Sequence, residues 1–257
     1  MRVIAVMTPK GGIGKTITAS STSYLLGEEH KKKVLLADGD QQGNLSKLFG
    51  YNEPDGIGMS ELLERHKIMG GEYSTSDLIK TTPYSHIDII PANGYLMLTN
   101  MKLLSEKEEN QINRFSRAIE EISGVYDYLI CDCGLTLDMT VINILVAADL
   151  VIAPVKLGGF EADALDNIIG QIEELKQFNP AMDLKMLMTM RQGNKTTAQA
   201  EEYFQNNYNA YKHSVRRSVV VERSTIAFTP LPAFSKNGIV TKDYREVVAE
   251  LLQDMEG

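Results

Sequence analysis

The segment Thr8-Pro9-Lys10-Gly11-Gly12-Ile13-Gly14-Lys15-Thr16 most narrows what this chain can become, because it lies between an apolar run, Val3–Met7, and a helix-forming stretch. A glycine-rich turn in that position lets backbone N–H groups converge on an anion without side-chain obstruction. The helix that follows points its positive end at the same place. Lys15 is then placed to reach β- and γ-phosphates, and the Thr16 hydroxyl to ligate Mg²⁺. A tight turn without a ligand would need fewer of these features; strand, glycines, lysine, threonine and helix in unbroken order favour a phosphate loop. The usual glycine is replaced by Pro9, and a second lysine, Lys10, precedes Gly11-Gly12. Two cations on one loop repel unless more phosphate charge is present, so Lys10 is expected to reach phosphate from outside, across a subunit interface. The expected nucleotide-binding set is Lys10, Gly11, Gly12, Ile13, Gly14, Lys15, Thr16 and Ile17.

Apolar runs and amphipathic stretches alternate along the chain. Strands are expected at Val3–Met7, Val34–Ala37, Ile87–Ile90, Tyr128–Asp132, Leu150–Val155 and Leu184–Met190, with a short one near Ser214–Arg216. Helices are expected at Lys15–Leu26, Met59–Met69, Leu96–Ser123, Thr140–Ala147, Ala162–Phe178, Thr197–Asn207 and Thr241–Met255, and the stretches 50–58 and 229–238 read as loops. Consecutive apolar positions suit strands covered on both faces. Strand-helix alternation implies right-handed crossovers, so the fold class is α/β, a mostly parallel sheet with helices on both faces. Its 257 residues are expected to form one α/β domain carrying the phosphate loop, a single P-loop domain over 1–257.

No apolar run approaches the roughly 20 residues that span a bilayer. Cys131 and Cys133 are the only cysteines, too few for a secreted disulfide scaffold or a cluster site. A cytoplasmic, reduced protein is expected. The net charge of −8 argues against coating nucleic acid with the whole surface. Residues 185–223, however, hold seven Lys and Arg against three Glu, a local excess of +4. Such a segment either forms a basic face or is ordinary solvated surface.

Two acidic segments complete the pattern. Val34–Ala37 runs into Asp38-Gly39-Asp40-Gln41-Gln42-Gly43-Asn44, and Tyr126-Asp127-Tyr128-Leu129-Ile130-Cys131-Asp132 is an apolar strand ending in aspartate. Taken alone, Asp38 and Asp40 could equally be turn or cap residues. Together with Lys10–Thr16, these segments resemble the deviant Walker A loop, the Asp-x-Asp-Pro-Gln-Gly-Asn stretch and the Walker B strand of the ParA/MinD group of P-loop ATPases. Asn143–Asp149 and Ile152–Val155 extend the likeness. The resemblance implies ATP and Mg²⁺ as cofactors and an ATP-sandwich homodimer in which Lys10 contacts the opposite subunit's nucleotide. It implies catalytic roles for Asp40, Lys10 and Lys15, with Asp40 orienting the hydrolytic water. Thr16, Asp38 and Asp132 are implied around the metal. Where the family usually has Asp-Thr-Pro-Pro, this chain has Asp132-Cys133-Gly134-Leu135.

The resemblance is nearest to ParA-type proteins of plasmid or chromosome partition, whose ATP-bound dimer binds DNA non-specifically and is activated by a ParB-type partner. That implies a nucleoid-associated ATPase, slow without its partner. The candidate DNA contacts are Arg191, Lys195, Arg216, Arg217 and Arg223. A MinD-like positioning ATPase is the first alternative. Its membrane-binding tail should be cationic and amphipathic, whereas Tyr244–Gly257 is acidic, so no membrane partner is expected. The second alternative is a metabolic P-loop enzyme acting on a small molecule.

Overall fold

Continuous apolar strands need cover on both faces, and the computed structural model, which describes residues 1–64, 73–106, 111–156, 161–193 and 195–256, shows how the chain supplies it. The strands are β1 (Arg2–Val6), β2 (Val34–Gly39), β3 (Lys80–Thr81), β4 (Ile87–Ile90), β5 (Tyr128–Cys133), β6 (Leu150–Lys156) and β7 (Asp183–Thr189). They form one sheet in the order β3-β4-β2-β5-β1-β6-β7. Every pairing is parallel except β3 with β4. The expected α/β class, a mostly parallel sheet with helices on both faces, is what the chain adopts.

The strand period of two divides the core into two layers. Val3, Ala5, Leu35, Ala37, Leu129, Cys131 and Cys133 face one layer, covered by the helices Met59–Glu64, Leu96–Ser105, Arg114–Glu120 and Met139–Ala147. Ile4, Val6, Val34, Leu36, Tyr128 and Ile130 face the other, covered by Lys15–Tyr24, Asn44–Leu48 and Ile239–Glu256. Both cysteines are buried free thiols on the first layer.

Several expectations need correction. The single long helix over Leu96–Ser123 is divided: a helix ends at Ser105, and Arg114–Glu120 begins after a short 3₁₀ turn, Gln111–Asn113. Its start is fixed from outside, because the Asn143 side-chain oxygen accepts the backbone N–H groups of Arg114 (2.9 Å) and Phe115 (3.2 Å). The strand near Ser214–Arg216 is only an isolated bridge between Arg191 and Arg216. The 229–238 loop contains a helical turn, Leu231–Phe234, with proline in its first turn, where the missing N–H costs nothing. The edge strand β3, two residues long, left no readable alternation, nor did the helix Val219–Ile226. Of the helix expected at Met59–Met69, Met59–Glu64 is helical and residues 65–69 lie outside the described residues.

Parallel register decides what meets at the carboxyl end of the sheet. β5 aligns Asp132 with Val6 of β1 on one side and with Asp38 of β2 on the other. The last residue of β1 thus delivers the glycine loop beside two carboxylates, where open α/β sheets bind ligands. The helix Lys15–Tyr24 is locked by a buried hydrogen bond of 3.1 Å between the hydroxyls of Thr18 and Tyr244 on the C-terminal helix. Tyr244→Phe is expected to lower unfolding free energy by about 1 kcal/mol in urea titration, the net worth of one neutral hydrogen bond.

Candidate functional site

The loop after β1 turns through two glycines with positive φ, Gly12 (70°) and Gly14 (95°), a backbone state that side chains with a Cβ resist. Gly14 caps the helix Lys15–Tyr24 with no side-chain hydrogen bond, and the first turn holds no acidic residue. Its N–H groups therefore remain available to an anion. The loop is fastened from β7: the Thr189 hydroxyl donates to the Ile13 carbonyl at 2.7 Å and lies 3.3 Å from the Val155 carbonyl. Lys15 is mostly buried and its ammonium donates to the Lys10 carbonyl at 3.2 Å. Burial pushes its pKa down, opposed by the charges of Asp132 and Asp40. Lys10 has an exposed side chain.

The two aspartates paired by register have different surroundings. Asp38 is fully buried, and one of its oxygens accepts both the backbone N–H and the hydroxyl of Ser46, each at 2.7 Å. Its other oxygen accepts the Asp40 N–H at 3.2 Å. Desolvation raises its pKa to about 6, with the Ser46 bonds pulling the other way. Asp38 thus organises the 39–46 loop that carries Asp40. Asp132 is as deeply buried, yet neither oxygen accepts a hydrogen bond of good geometry. The Thr16 hydroxyl beside it moderates its pKa, which desolvation and then the Asp38 charge hold well above the usual carboxylate range.

A buried carboxylate with no partner is costly. Asp132 and Thr16 are hard oxygen donors facing the phosphate loop, a set that fits Mg²⁺ completed by phosphate oxygens and water. Among the described residues no group of three or more His, Cys, Asp or Glu could hold a metal by itself, so the nucleotide would have to supply the remaining ligands. Asp40 lies half-buried on the rim, one oxygen accepting the Gln42 N–H at 3.0 Å.

The glycine loop and Asp40 open into a cleft of about 770 Å³. Gly11 through Ile17, Asp40 and Leu135 form one end, and Thr189, Met190 and Val215–Ser218 are among its other walls. Leu135, from the segment where the family usually has two prolines, lies over Gly11, both its methyls 3.9 Å from where a Cβ would stand. Sequence reasoning missed Ser46, Thr189 and Lys156. A polar residue ending an apolar strand, as Thr189 ends β7, was the available signal.

The cations proposed for DNA are distributed differently from their sequence clustering. Arg216 is held by Asp243 through two Nε contacts of 2.9 and 3.1 Å and a third from its terminal nitrogen. Arg191 donates to Glu201 at 2.7 Å, and Lys185 pairs with Asp254. Carboxylates from outside the segment thereby neutralise part of its charge. Arg217 and Arg223 are exposed. Lys195 is the first residue of the helix Lys195–Asn207, and its side chain lies outside the described residues.

Fold and site together define a P-loop NTPase-type protein. Residues 1–186 match the AAA domain family model AAA_31, and the chain belongs to that family. Soj, the sporulation initiation inhibitor of Bacillus subtilis, is 26% identical over 257 residues, covering 97% of this chain and 98% of its own. The chromosome partitioning protein ParA of Caulobacter vibrioides is 29% identical over 197 residues, 74% of this chain and 70% of its own. The expected kinship with ParA-type partition proteins therefore holds. Among solved structures, cobyrinic acid a,c-diamide synthase from Mycobacterium smegmatis with a bound ATP analogue and magnesium superposes with a TM-score of 0.82 at 25% identity, covering 100% of this chain and 96% of its own. A plasmid partition protein of Borrelia burgdorferi bound to AMPPNP shares the fold, with TM-score 0.82, 21% identity and 99% of each chain covered.

Because the folded pKa values of Asp38 and Asp132 are raised, their burial costs least at low pH, and the stability is lost as pH rises from about 4 through about 6 and beyond. Asp132→Asn is expected to stabilise the ligand-free chain at pH 7 and to flatten the pH 5 to 7 dependence of its urea midpoint, while removing any stabilisation by Mg²⁺ and nucleotide. An unchanged pH profile would contradict the charge assignment.

Proposed function

We propose that this chain is a Mg²⁺-dependent ATPase of DNA partition that works as an ATP-bridged homodimer. The observation that carries the reading is the buried Asp132 carboxylate, without a hydrogen bond of good geometry, beside Thr16 and Lys15. Lys15 and the N–H groups opening the helix Lys15–Tyr24 would bind the phosphates, and Thr16 and Asp132 would hold Mg²⁺, with Asp38 bracing the Asp40 loop. Mg²⁺ held there would supply positive charge to offset that of the phosphate oxygens. Asp40, on the rim of the cleft, orients the attacking water. Lys10, exposed on the same loop, reaches the nucleotide of the second copy.

The partition role is supported by similarity to Soj and ParA along most of the chain. Arg217 and Arg223 are the exposed cations best placed to touch DNA phosphate without reading bases. A ParB-type protein is the activating partner on this reading, and unassisted turnover falls in the slow range of switch NTPases, on the order of 10⁻⁴–10⁻² s⁻¹. Among the described residues no helix is long and apolar enough to cross a membrane. The metabolic alternative draws on similarity to the diamide synthase.

Lys15→Ala is expected to abolish ATP binding measured by calorimetry, and micromolar affinity in that variant would remove the phosphate-loop assignment. Lys10→Ala is expected to bind ATP yet remain monomeric in sedimentation. DNA retention measured without nucleotide, with ADP and with ATP across a salt series separates the roles. Partition predicts ATP-dependent binding that falls linearly with log salt, its slope shrinking by about 1 for each arginine contact removed. Binding to anionic vesicles instead would support a positioning ATPase, and binding to neither a metabolic one.

A further inference from the structure

The cleft holds a cation that none of the recognised motifs contains. β6 pairs with β1 only as far as Ile152, opposite Val6, and then runs on through Ala153 and Pro154 to Val155 and Lys156. This extension lies alongside the phosphate loop. Lys156 stands in register with Thr189, the residue whose hydroxyl grips the Ile13 carbonyl at 2.7 Å and sits 3.3 Å from the Val155 carbonyl. Lys156 is therefore built into the same clamp that shapes the loop, and it lines the cleft together with Gly11–Thr16.

Its charge lacks the carboxylate that Arg216 and Lys15 have. Arg216 is bound to Asp243, Lys47 donates to the Gln42 carbonyl at 2.8 Å, and Lys15 faces Asp132 and Asp40. Among the described residues Asp40 and Glu222 are the only carboxylates lining the cleft, against Lys15, Lys47, Lys156, Arg216 and Arg217. Among the described residues Lys156 makes no ion pair, although it is half-buried. On its other side it borders a recess of about 70 Å³ shared with Arg191 and Glu201, where Glu201 already accepts from Arg191 and from Ser214. A half-buried ammonium lining the same cleft as Lys15 raises the energy of the ligand-free cleft and lowers it when a polyanion enters.

We infer that Lys156 is a third cation of the nucleotide site, binding the polyphosphate chain alongside Lys15. This rests on the reading of the cleft as an ATP site and adds a residue to it. The discriminating contacts are with phosphate charge, not with the base or sugar.

The test is calorimetric titration of ATP, ADP and adenosine into the wild-type protein, Lys156→Gln and Lys156→Arg, with Mg²⁺, over a range of salt. Lys156→Gln is expected to weaken ATP about tenfold at low salt, the scale of one charge-assisted contact. ADP should lose less and adenosine nothing, the ATP loss should fade as salt screens the interaction, and Lys156→Arg should restore it. ATP affinity within twofold of wild type in Lys156→Gln would overturn the inference. So would equal losses for ATP and adenosine, which would mark Lys156 as a structural strut toward Glu201. Lys156→Met serves if the glutamine variant fails to fold. A wild-type protein that binds no ATP at all would instead sink the reading of the cleft itself.

Discussion

Parallel pairing of β1, β5 and β2 is the constraint on which the rest of the molecule depends. Because the three central strands run the same way in tight register, Val6, Asp132 and Asp38 end at one level. The chain leaves β1 into a loop of donors, while β5 and β2 end in acceptors. A slip of one residue would turn Asp132 toward the other layer and place an apolar residue beside Thr16. The apolar layers on both faces hold this register, so the core fixes the charge geometry of the site.

The site concentrates uncompensated electrostatic cost. A carboxylate without a hydrogen bond, a lysine whose charged form is disfavoured by burial, and a helix end without a side-chain cap lie together. Each destabilises the ligand-free protein, and each would be relieved by a metal-bound polyphosphate. Stability elsewhere offsets that cost through satisfied groups such as Asp38 with Ser46 and Arg216 with Asp243. The contrast between Asp38 and Asp132 is instructive. They are neighbours of one residue type at one depth, yet one braces a loop and the other is left open toward the phosphate loop.

The charge of the 185–223 segment shows why a linear count misleads. Seven basic residues suggested a cationic face, but the fold brings Asp243 and Asp254 from the C-terminal helix to Arg216 and Lys185. Glu201, within the segment, takes Arg191. Among the segment's described side chains, Lys212, Arg217 and Arg223 remain exposed without a carboxylate partner.

Much of this protein was legible in local order. Glycines after an apolar strand, with lysine and threonine opening a helix, announce a phosphate loop because backbone freedom and helix polarity are local properties. Six of the seven strands were readable from consecutive apolar residues, since burial on both faces leaves no alternation to confuse. Tertiary structure alone decided which distant groups meet. Thr189 clamping Ile13, Ser46 satisfying Asp38, Asn143 capping the helix at Arg114 and Lys156 entering the cleft are contacts between residues 8 to 176 positions apart or placed by strand register. No periodicity or propensity encodes such pairs, because their energy depends on packing and desolvation that exist only once the sheet has formed.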